Sequence, residues 1–149
     1  MNKSIAIDEN IFHNAVKFYS TMFNLPPLAS KIYSYLIFDF EKVGITFDEL
    51  VEVLSASKSS VSTNISFLIH SHLIIDINKM DERKRYFIIN DNYKKIRFEK
   101  IVKKMQDELQ LIEDLKNFSN RKEHDLKTEN YKSLLNKNIL NIQESLNKL

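Results

Sequence analysis

Apolar residues recur at helical spacing over most of the chain. Residues 8–23 place an apolar stripe on one face, which predicts a helix with Asp8 as its N-cap. Pro26 and Pro27 end that helix, because neither can donate a backbone hydrogen bond, and the spacing resumes over residues 28–38. The chain therefore begins with two predicted amphipathic helices.

A helical stripe also runs from Asp91 to the end of the chain. Its first part predicts a helix of about 26 residues. The polar cluster of Asn117, Ser119 and Asn120 predicts a break before a last helix, with Ser119 or Asn120 as its N-cap. Helices this long cannot bury their stripes against a small head, so they predict a dimer interface, an intramolecular hairpin, or both together.

The stretch between these helical ends has a different pattern. Residues 47–54 predict a short helix, with Thr46 or Asp48 as its N-cap and Glu49 at the spacing of a capping box. A turn at residues 55–57 follows, and the next paragraph's helix begins directly after it. Gly44, the only glycine, precedes a short extended segment that leads into this region.

A second helix is predicted from Lys58 to about Ser71, with Ser57 as its N-cap and an inward face of apolar residues. Its outward face carries short hydrogen-bonding side chains, which lower helix propensity but can enter a DNA groove at close range. An ordinary solvated face is the alternative. The polar residues of this face are Lys58, Ser59, Ser60, Ser62, Thr63, Asn64 and Ser66.

Two extended segments complete the central stretch. Residues 73–79 and 84–90 are rich in β-branched residues and alternate in part, which predicts a hairpin with residues 80–83 at its tip. A helix, a turn, a second helix and a hairpin in this order predict a winged helix-turn-helix. The hairpin tip carries Lys79, Arg83, Lys84 and Arg85, which suit contact with phosphate or with the minor groove, although mixed charge on a solvated loop is the alternative.

The composition limits the classes of function. The chain has 149 residues, no cysteine and a net charge of +2, so disulfides and thiolate metal sites are excluded. Residues 1–91 hold 9 Lys and Arg against 11 Asp and Glu, which indicates local basic patches rather than a global positive field. No window is apolar enough for a signal peptide or a membrane span, and we expect a cytoplasmic protein that contacts no membrane.

Several segments resemble the GbsR-like branch of the MarR-type winged helix-turn-helix transcriptional regulators. The resemblance covers about residues 12–115. It rests on Leu-Pro-Pro-Leu at 25–28, Lys-Ile-Tyr-Ser-Tyr-Leu at 31–36, Thr-Phe-Asp-Glu-Leu at 46–50, Ser-Lys-Ser-Ser-Val-Ser-Thr-Asn at 57–64 and Glu-Arg-Lys-Arg-Tyr-Phe at 82–87.

This resemblance implies a homodimer that places a recognition helix in the major groove and a wing beside the minor groove. It implies base-reading roles for Ser59, Ser60, Ser62, Thr63 and Asn64, backbone anchoring by Ser57 and Lys58, and a wing role for Arg83, Lys84 and Arg85. The chain departs from the family pattern in two places. Glycine is usual at the end of the recognition helix and in the wing, whereas this chain has Ser71-His72 and Met80-Asp81-Glu82.

The sequence offers little chemistry for a metal site or an enzyme. His13, His70, His72 and His124 are not at ligand spacing, and no glycine-rich phosphate loop or paired-carboxylate pattern is present, so we expect no metal, no cofactor and no catalysis. Aromatic residues of the first two helices either line an effector pocket against the long helix or simply form core. These residues are Phe12, Tyr19, Phe23, Tyr33, Tyr35 and Phe38.

The sequence as a whole predicts a mainly α fold with a small β-hairpin wing, a winged helix-turn-helix with long C-terminal dimerisation helices. We expect residues 1–91 to form the DNA-binding domain and residues 92–149 the dimerisation region. The predicted function is that of a homodimeric regulator bound to double-stranded DNA, with a small-molecule effector where the aromatic pocket forms. A winged-helix module that binds another protein and not DNA is the alternative.

Overall fold

Six α-helices and three short strands form the part of the chain that the structure, a computed structural model, describes: residues 5–119 and 125–149. The helices are α1 (Glu9–Met22), α2 (Pro27–Leu36), α3 (Phe47–Leu54), α4 (Lys58–His70), α5 (Tyr93–Ser119) and α6 (Leu126–Leu146). The strands are β1 (Ile45–Thr46), β2 (Ile74–Asn78) and β3 (Arg85–Ile89). The predicted fold class, mainly α with a winged helix-turn-helix, is confirmed.

The chain divides into two compact units. Met1–Asp91, which we call the head, contains the first four helices and the sheet. Asn92–Leu149, which we call the arm, contains α5 and α6.

The second helix is the centre of the head. Ile32, Tyr33 and Leu36 are almost completely buried, and Ser30 and Ser34 on the same helix are buried as well. A helix that is buried on nearly every side must be surrounded by other elements, and α2 contacts α1, α3, α4 and β3. The sequence pattern predicted Ile32, Leu36 and Phe38 as core but did not indicate that Tyr33 would be equally buried.

A three-stranded antiparallel sheet closes the head, in the order β1-β3-β2. Ile45 pairs with Phe87 in the short first strand, and Asn78 pairs with Arg85 at the outer end of the hairpin. Ile74 and Phe87 are buried, so one face of the sheet packs on the core. The loop of residues 79–84 extends beyond the last pair as the wing.

In the arm, α5 and α6 fold back on one another. Val102, Leu135 and Ile139 are buried between the helices, and the Tyr131 hydroxyl donates a hydrogen bond of 2.6 Å to Oε1 of Glu108. That bond raises the pKa of Tyr131, because the carboxylate favours the protonated phenol. The intramolecular hairpin, one of the two predicted arrangements, is therefore present.

The predicted start of the last helix was wrong. Ser119 is the final residue of α5, and its hydroxyl donates to the backbone oxygen of Lys116 rather than capping α6. Asp125 is the N-cap instead, since its side chain accepts from the backbone nitrogen of Lys127 at 3.1 Å. Asn120, the other predicted cap, lies outside the described residues.

Candidate nucleic-acid interface

The helix-turn-helix is built by two N-caps and one left-handed residue. Thr46 caps α3 by accepting from the Glu49 backbone nitrogen at 3.2 Å, and Ser57 caps α4 by accepting from the Ser60 nitrogen at 3.2 Å. Between the helices, Ser55 has φ 50° and turns the chain sharply. The predicted boundaries of both helices and of the turn are confirmed to within one residue.

The first turn of α4 is poor in negative charge. It contains Lys58 and no acidic residue, whereas α3 has Asp48 and Glu49 in its first turn. Unpaired backbone N–H groups give a helix N-terminus partial positive charge, and carboxylates in the first turn would cancel it. The start of α4 therefore suits an anion, and phosphate is the anion that DNA offers.

The outward face of α4 is exposed and partly bonded to its own backbone. Thr63 Oγ1 donates to the Ser59 oxygen at 2.9 Å, and the Asn64 side-chain amide donates to the Ser60 oxygen at 2.8 Å. These bonds fix the two side chains and leave the Asn64 carbonyl oxygen and one N–H of its amide for another partner. Ser62 is exposed and makes no side-chain hydrogen bond within the described residues.

The Ser57 hydroxyl is shared among several groups. Besides accepting at the helix start, it donates to Oγ of Ser60 at 2.8 Å and lies 3.3 Å from Oγ of Ser59. These contacts order three adjacent hydroxyls at the N-terminus of α4. The structure thus brings together the predicted anchoring residues Ser57 and Lys58 and the start of the predicted base-reading face.

In the wing, two of the predicted cations have partners within the hairpin. Arg85 is held by Asp76, with Nε and Nη2 at 3.0 and 2.9 Å from the same carboxylate oxygen. Lys79 lies over the ring of Tyr86, with its Nζ 3.9 Å from the ring centre. The Tyr86 hydroxyl in turn donates to Glu82, a bond that raises the pKa of Tyr86.

The other two wing cations are exposed and point away from such partners. Arg83 and Lys84 make no ion pair and no side-chain hydrogen bond within residues 5–119 and 125–149. Free cations of this kind can neutralise phosphates without first breaking an internal ion pair. The wing therefore separates its four cations into a pair with internal contacts and a pair without them.

The missing glycines are replaced by residues that adopt the left-handed conformation. His72 has φ 61° at the end of α4, and its backbone oxygen accepts from the Asn90 side-chain amide at 2.8 Å. In the wing, Asp81 has φ 64°. Histidine and aspartate enter this region more readily than most residues, which explains how the turns form without glycine.

The aromatic residues predicted for an effector pocket lie mainly in the core. Tyr33 and Tyr35 are almost completely buried, while Phe12 and Tyr19 are half-buried on α1. Tyr19 meets Tyr33 edge-on with ring centres 4.8 Å apart, and Phe23 stacks on Tyr19 at 5.6 Å. Rings packed in this way stabilise the contact of α1 with α2.

Two functional contacts were missed by the sequence reasoning. The Tyr35 hydroxyl donates to Oε1 of Glu49 at 3.2 Å and joins α2 to α3, and Asp76 holds Arg85. The register of the hairpin places Arg85 opposite Asn78, so Asp76 is its diagonal neighbour on the same face. Alternation along the predicted strands could have indicated the second contact, whereas the first depends on the packing of helices.

The described residues give no support for metal or membrane chemistry. They contain no group of three or more His, Asp or Glu side chains arranged to hold a metal ion. His70 contacts the Ser66 backbone oxygen at 2.7 Å, and His124 lies outside the described residues. No helix in residues 5–119 or 125–149 is both long and apolar enough to cross a membrane.

Comparisons with known proteins identify the fold. No protein-family model and no curated protein sequence matches the chain. Among solved structures, a crystal structure of a transcriptional regulator is 17% identical, with a TM-score of 0.60 over 94% of this chain and 95% of that one.

Two further structures are more distant. MepR, a transcription regulator of the Staphylococcus aureus multidrug efflux pump MepA, is 14% identical with a TM-score of 0.45 over 87% of each chain. A MarR protein from Peptoclostridium difficile is 19% identical with a TM-score of 0.40 over 94% of this chain and 84% of that one. The fold assignment rests on the first structure alone: the chain shares, over nearly its whole length, the winged-helix fold of a transcriptional regulator.

Proposed function

We propose that the protein is a homodimeric DNA-binding transcriptional regulator of the GbsR-like branch of MarR-type proteins. In this proposal α4 enters the major groove with Ser59, Ser60, Ser62, Thr63 and Asn64, while Ser57 and Lys58 anchor it to the DNA backbone. Arg83 and Lys84 bind phosphates or the minor-groove edge, and Lys79 and Arg85 support the wing that presents them. The observation that carries the proposal is the exposed, carboxylate-free start of α4 with its ordered hydroxyl groups.

The fold supports this function, because a winged helix presents one helix and one hairpin toward the same duplex. The head carries a small excess of negative charge, so attraction must come from the local cations at Lys58 and on the wing. A single head offers few such cations. Two heads on one DNA molecule double the number of phosphate contacts, which makes DNA affinity depend on dimerisation.

The arm supplies a surface for a dimer. Leu111, Leu115 and Leu140 are each more than half exposed, although α5 and α6 already pack on one another. Exposed leucines in a helical pair are typical of a subunit interface, and two-fold symmetry would set the half-sites of a pseudo-palindrome roughly 34 Å apart.

Titration of labelled duplexes with the full chain at several salt concentrations tests DNA binding. Lys58→Ala and Arg83→Ala should each weaken binding to all duplexes and lower the salt slope by about 1, whereas Asn64→Ala should relax sequence preference. Lys31→Ala, an exposed lysine on α2, is the matched control and should leave the affinity unchanged. Absence of salt-dependent DNA affinity in the unmodified protein would refute the proposal.

The dimer is tested separately by sedimentation equilibrium. Leu115→Glu should shift the protein toward monomer, because a carboxylate would be desolvated in the interface. Lys104→Glu, at an exposed position of the same helix, is the control. A chain that is already monomeric at micromolar concentration contradicts the proposed homodimer.

A protein-interaction module is the second candidate, and the negative balance of the head favours it. In that case α4 and the wing would bind another protein. Retention of a defined protein partner by the full chain, with loss of binding in Asn64→Ala and no retention on a DNA column, would establish this alternative.

A further inference from the structure

An open cavity of about 430 Å³ lies beside the loop that joins α2 to β1. Small-molecule sites in proteins commonly measure about 300–1,000 Å³. The cavity is therefore large enough for a small organic molecule. It is lined by head residues only, and none of the four aromatic residues predicted for an effector pocket is among them.

The walls of the cavity are largely apolar. Phe38 and Ile45 form the buried part, and Phe40 and Val43 lie at the rim. Phe40 is 82% exposed, which is unusual for a phenylalanine, and its ring centre is 6.3 Å from that of Phe38. An aromatic ring left in water at the edge of an apolar cavity gains stabilisation when a ligand covers it.

All charged residues in the lining are acidic. They are Asp39, Glu41 and Glu49. The neighbouring Lys42 does not line the cavity, and its ammonium group is paired with Asp91. The cavity therefore combines apolar walls with an uncompensated negative potential.

Two of these carboxylates are held in place. Asp39 is 7% exposed, and its two oxygens accept from the backbone nitrogens of Val43 at 3.1 Å and Gly44 at 2.8 Å. Glu49 accepts from the Tyr35 hydroxyl, and burial raises its pKa, so its charged form is incompletely stabilised by the protein. A cation in the cavity would supply the missing stabilisation.

We propose that this cavity binds a monovalent organic cation, an ammonium or phosphonium ion with apolar or aromatic substituents. The carboxylates repel anions, and an inorganic cation would leave the apolar walls and the rings of Phe38 and Phe40 without a partner. An organic cation contacts both, through Coulomb attraction to the carboxylates and through its position over the aromatic faces. This site does not depend on DNA binding.

Tetraphenylphosphonium and tetraphenylborate test the proposal, because these ions have nearly the same size and shape and opposite charges. Gly44 lines the cavity and is the only glycine in the chain, so protein labelled with ¹⁵N-glycine gives one amide signal that reports on this site. We expect saturable binding of the phosphonium by calorimetry, with a matching shift of the Gly44 signal. Tetraphenylborate should leave that signal in place.

Variants locate the binding. Glu49→Gln keeps an acceptor for Tyr35 and should weaken phosphonium binding by about fivefold or more, since one carboxylate is lost. Phe40→Ala, at an exposed position, should weaken it to a similar extent. Glu52→Gln is the matched control, because Glu52 lies one turn further along α3 and does not line the cavity; its affinity should stay within about twofold.

Three results would overturn the proposal. They are an immobile Gly44 signal at saturating phosphonium, equal response to the borate, and unchanged affinity in both Glu49→Gln and Phe40→Ala. Because the readout uses no DNA, failure here and failure of DNA binding are distinguishable.

Discussion

Gly44 lies directly against Tyr86, so closely that a Cβ atom on Gly44 would be 2.7 Å from the Cβ of Tyr86. Gly44 also has φ 99°, a conformation that residues with side chains rarely adopt. The contact joins the loop before β1 to the base of the wing. The only glycine of the chain therefore stands where both space and backbone conformation require it.

Gly44→Ala should lower the free energy of unfolding by about 1–3 kcal/mol, because the methyl group clashes and the backbone is strained. Urea denaturation measures this change. Val43→Ala, at an exposed neighbouring position, is the control and should change stability by less than about 0.5 kcal/mol. Equal stability of Gly44→Ala and the unmodified protein would show that the loop can move away from Tyr86.

The N-cap of α4 allows stability to be separated from anion binding. Ser57→Ala removes the acceptor for the Ser60 nitrogen and should cost about 1 kcal/mol of stability. Ser57→Asp keeps an acceptor and should stay close to the unmodified protein in stability, yet its charge would repel a phosphate at the helix N-terminus. We expect Ser57→Asp to weaken DNA binding more than Ser57→Ala does.

Thermal unfolding and fluorescence anisotropy with one duplex, measured on the same samples, give both quantities. Ser71→Asp at the other end of α4 adds the same charge away from the N-terminus and controls for it. If Ser57→Asp binds DNA as tightly as the unmodified protein, the start of α4 does not face phosphate.

The wing cations should differ in their contribution to DNA binding. Arg83→Ala and Lys84→Ala should each lower the salt slope by about 1, because these side chains are free to neutralise phosphates. Arg85→Ala should lower the slope less, since Arg85 is already paired with Asp76. Affinity measured at four or more salt concentrations yields the slopes, and an equal loss for all three variants would contradict the division of the wing cations.

The contact between Tyr35 and Glu49 predicts a pH dependence of stability. Burial is the main cause that raises the pKa of Glu49; the Tyr35 hydrogen bond opposes this shift, and the charges of Asp39 and Glu52 add to it. A carboxyl group with a higher pKa in the folded than in the unfolded state binds its proton more tightly when folded. Its stabilising contribution is present at low pH and is lost as the pH rises through the folded pKa.

Glu49→Gln should therefore be more stable than the unmodified protein at pH 7, and the difference should shrink as the pH falls toward the ordinary pKa of glutamate. Urea midpoints between pH 4 and pH 7 measure it, within the range where both proteins fold. Glu52→Gln, on the same helix, should run parallel to the unmodified protein. A difference between Glu49→Gln and the unmodified protein that grows as the pH falls would contradict the raised pKa.

The sequence could predict the local elements, because their signals lie within a few residues of one another. Thr46 and Ser57 cap their helices as the N-cap pattern requires, and Pro27 begins α2. Glu49 shows where such signals end. Its capping-box spacing is correct, but its carboxylate accepts from Tyr35, while the Thr46 backbone pairs with Tyr86 in the sheet.

The features that the sequence could not predict depend on tertiary packing. The cavity forms where the loop after α2 meets β1 and α3, and no spacing along the chain indicates it. The start of α6 failed for another reason. Asn117, Ser119, Asn120 and Asp125 are all residues that favour N-caps, so the pattern alone could not select Asp125.

The left-handed residue at the end of α4 provides a last prediction. His72 has φ 61° where glycine is usual in related sequences, so its side chain costs conformational energy that glycine would avoid. His72→Gly should keep or raise stability, by up to about 1 kcal/mol, because relief of strain exceeds the entropy lost by glycine. His72→Val should lower it by more than about 1 kcal/mol, since a β-branched residue fits this region poorly.

Urea denaturation of the two variants gives the order, and His70→Val, inside α4 near its end, controls for the loss of a histidine. The Asn90 amide binds the backbone oxygen of residue 72, a contact that every one of these substitutions leaves intact. The order glycine, histidine, valine in stability is therefore determined by backbone conformation at this position. If valine were as stable as histidine, the chain would leave α4 by a different turn, and the orientation of the hairpin that follows would change with it.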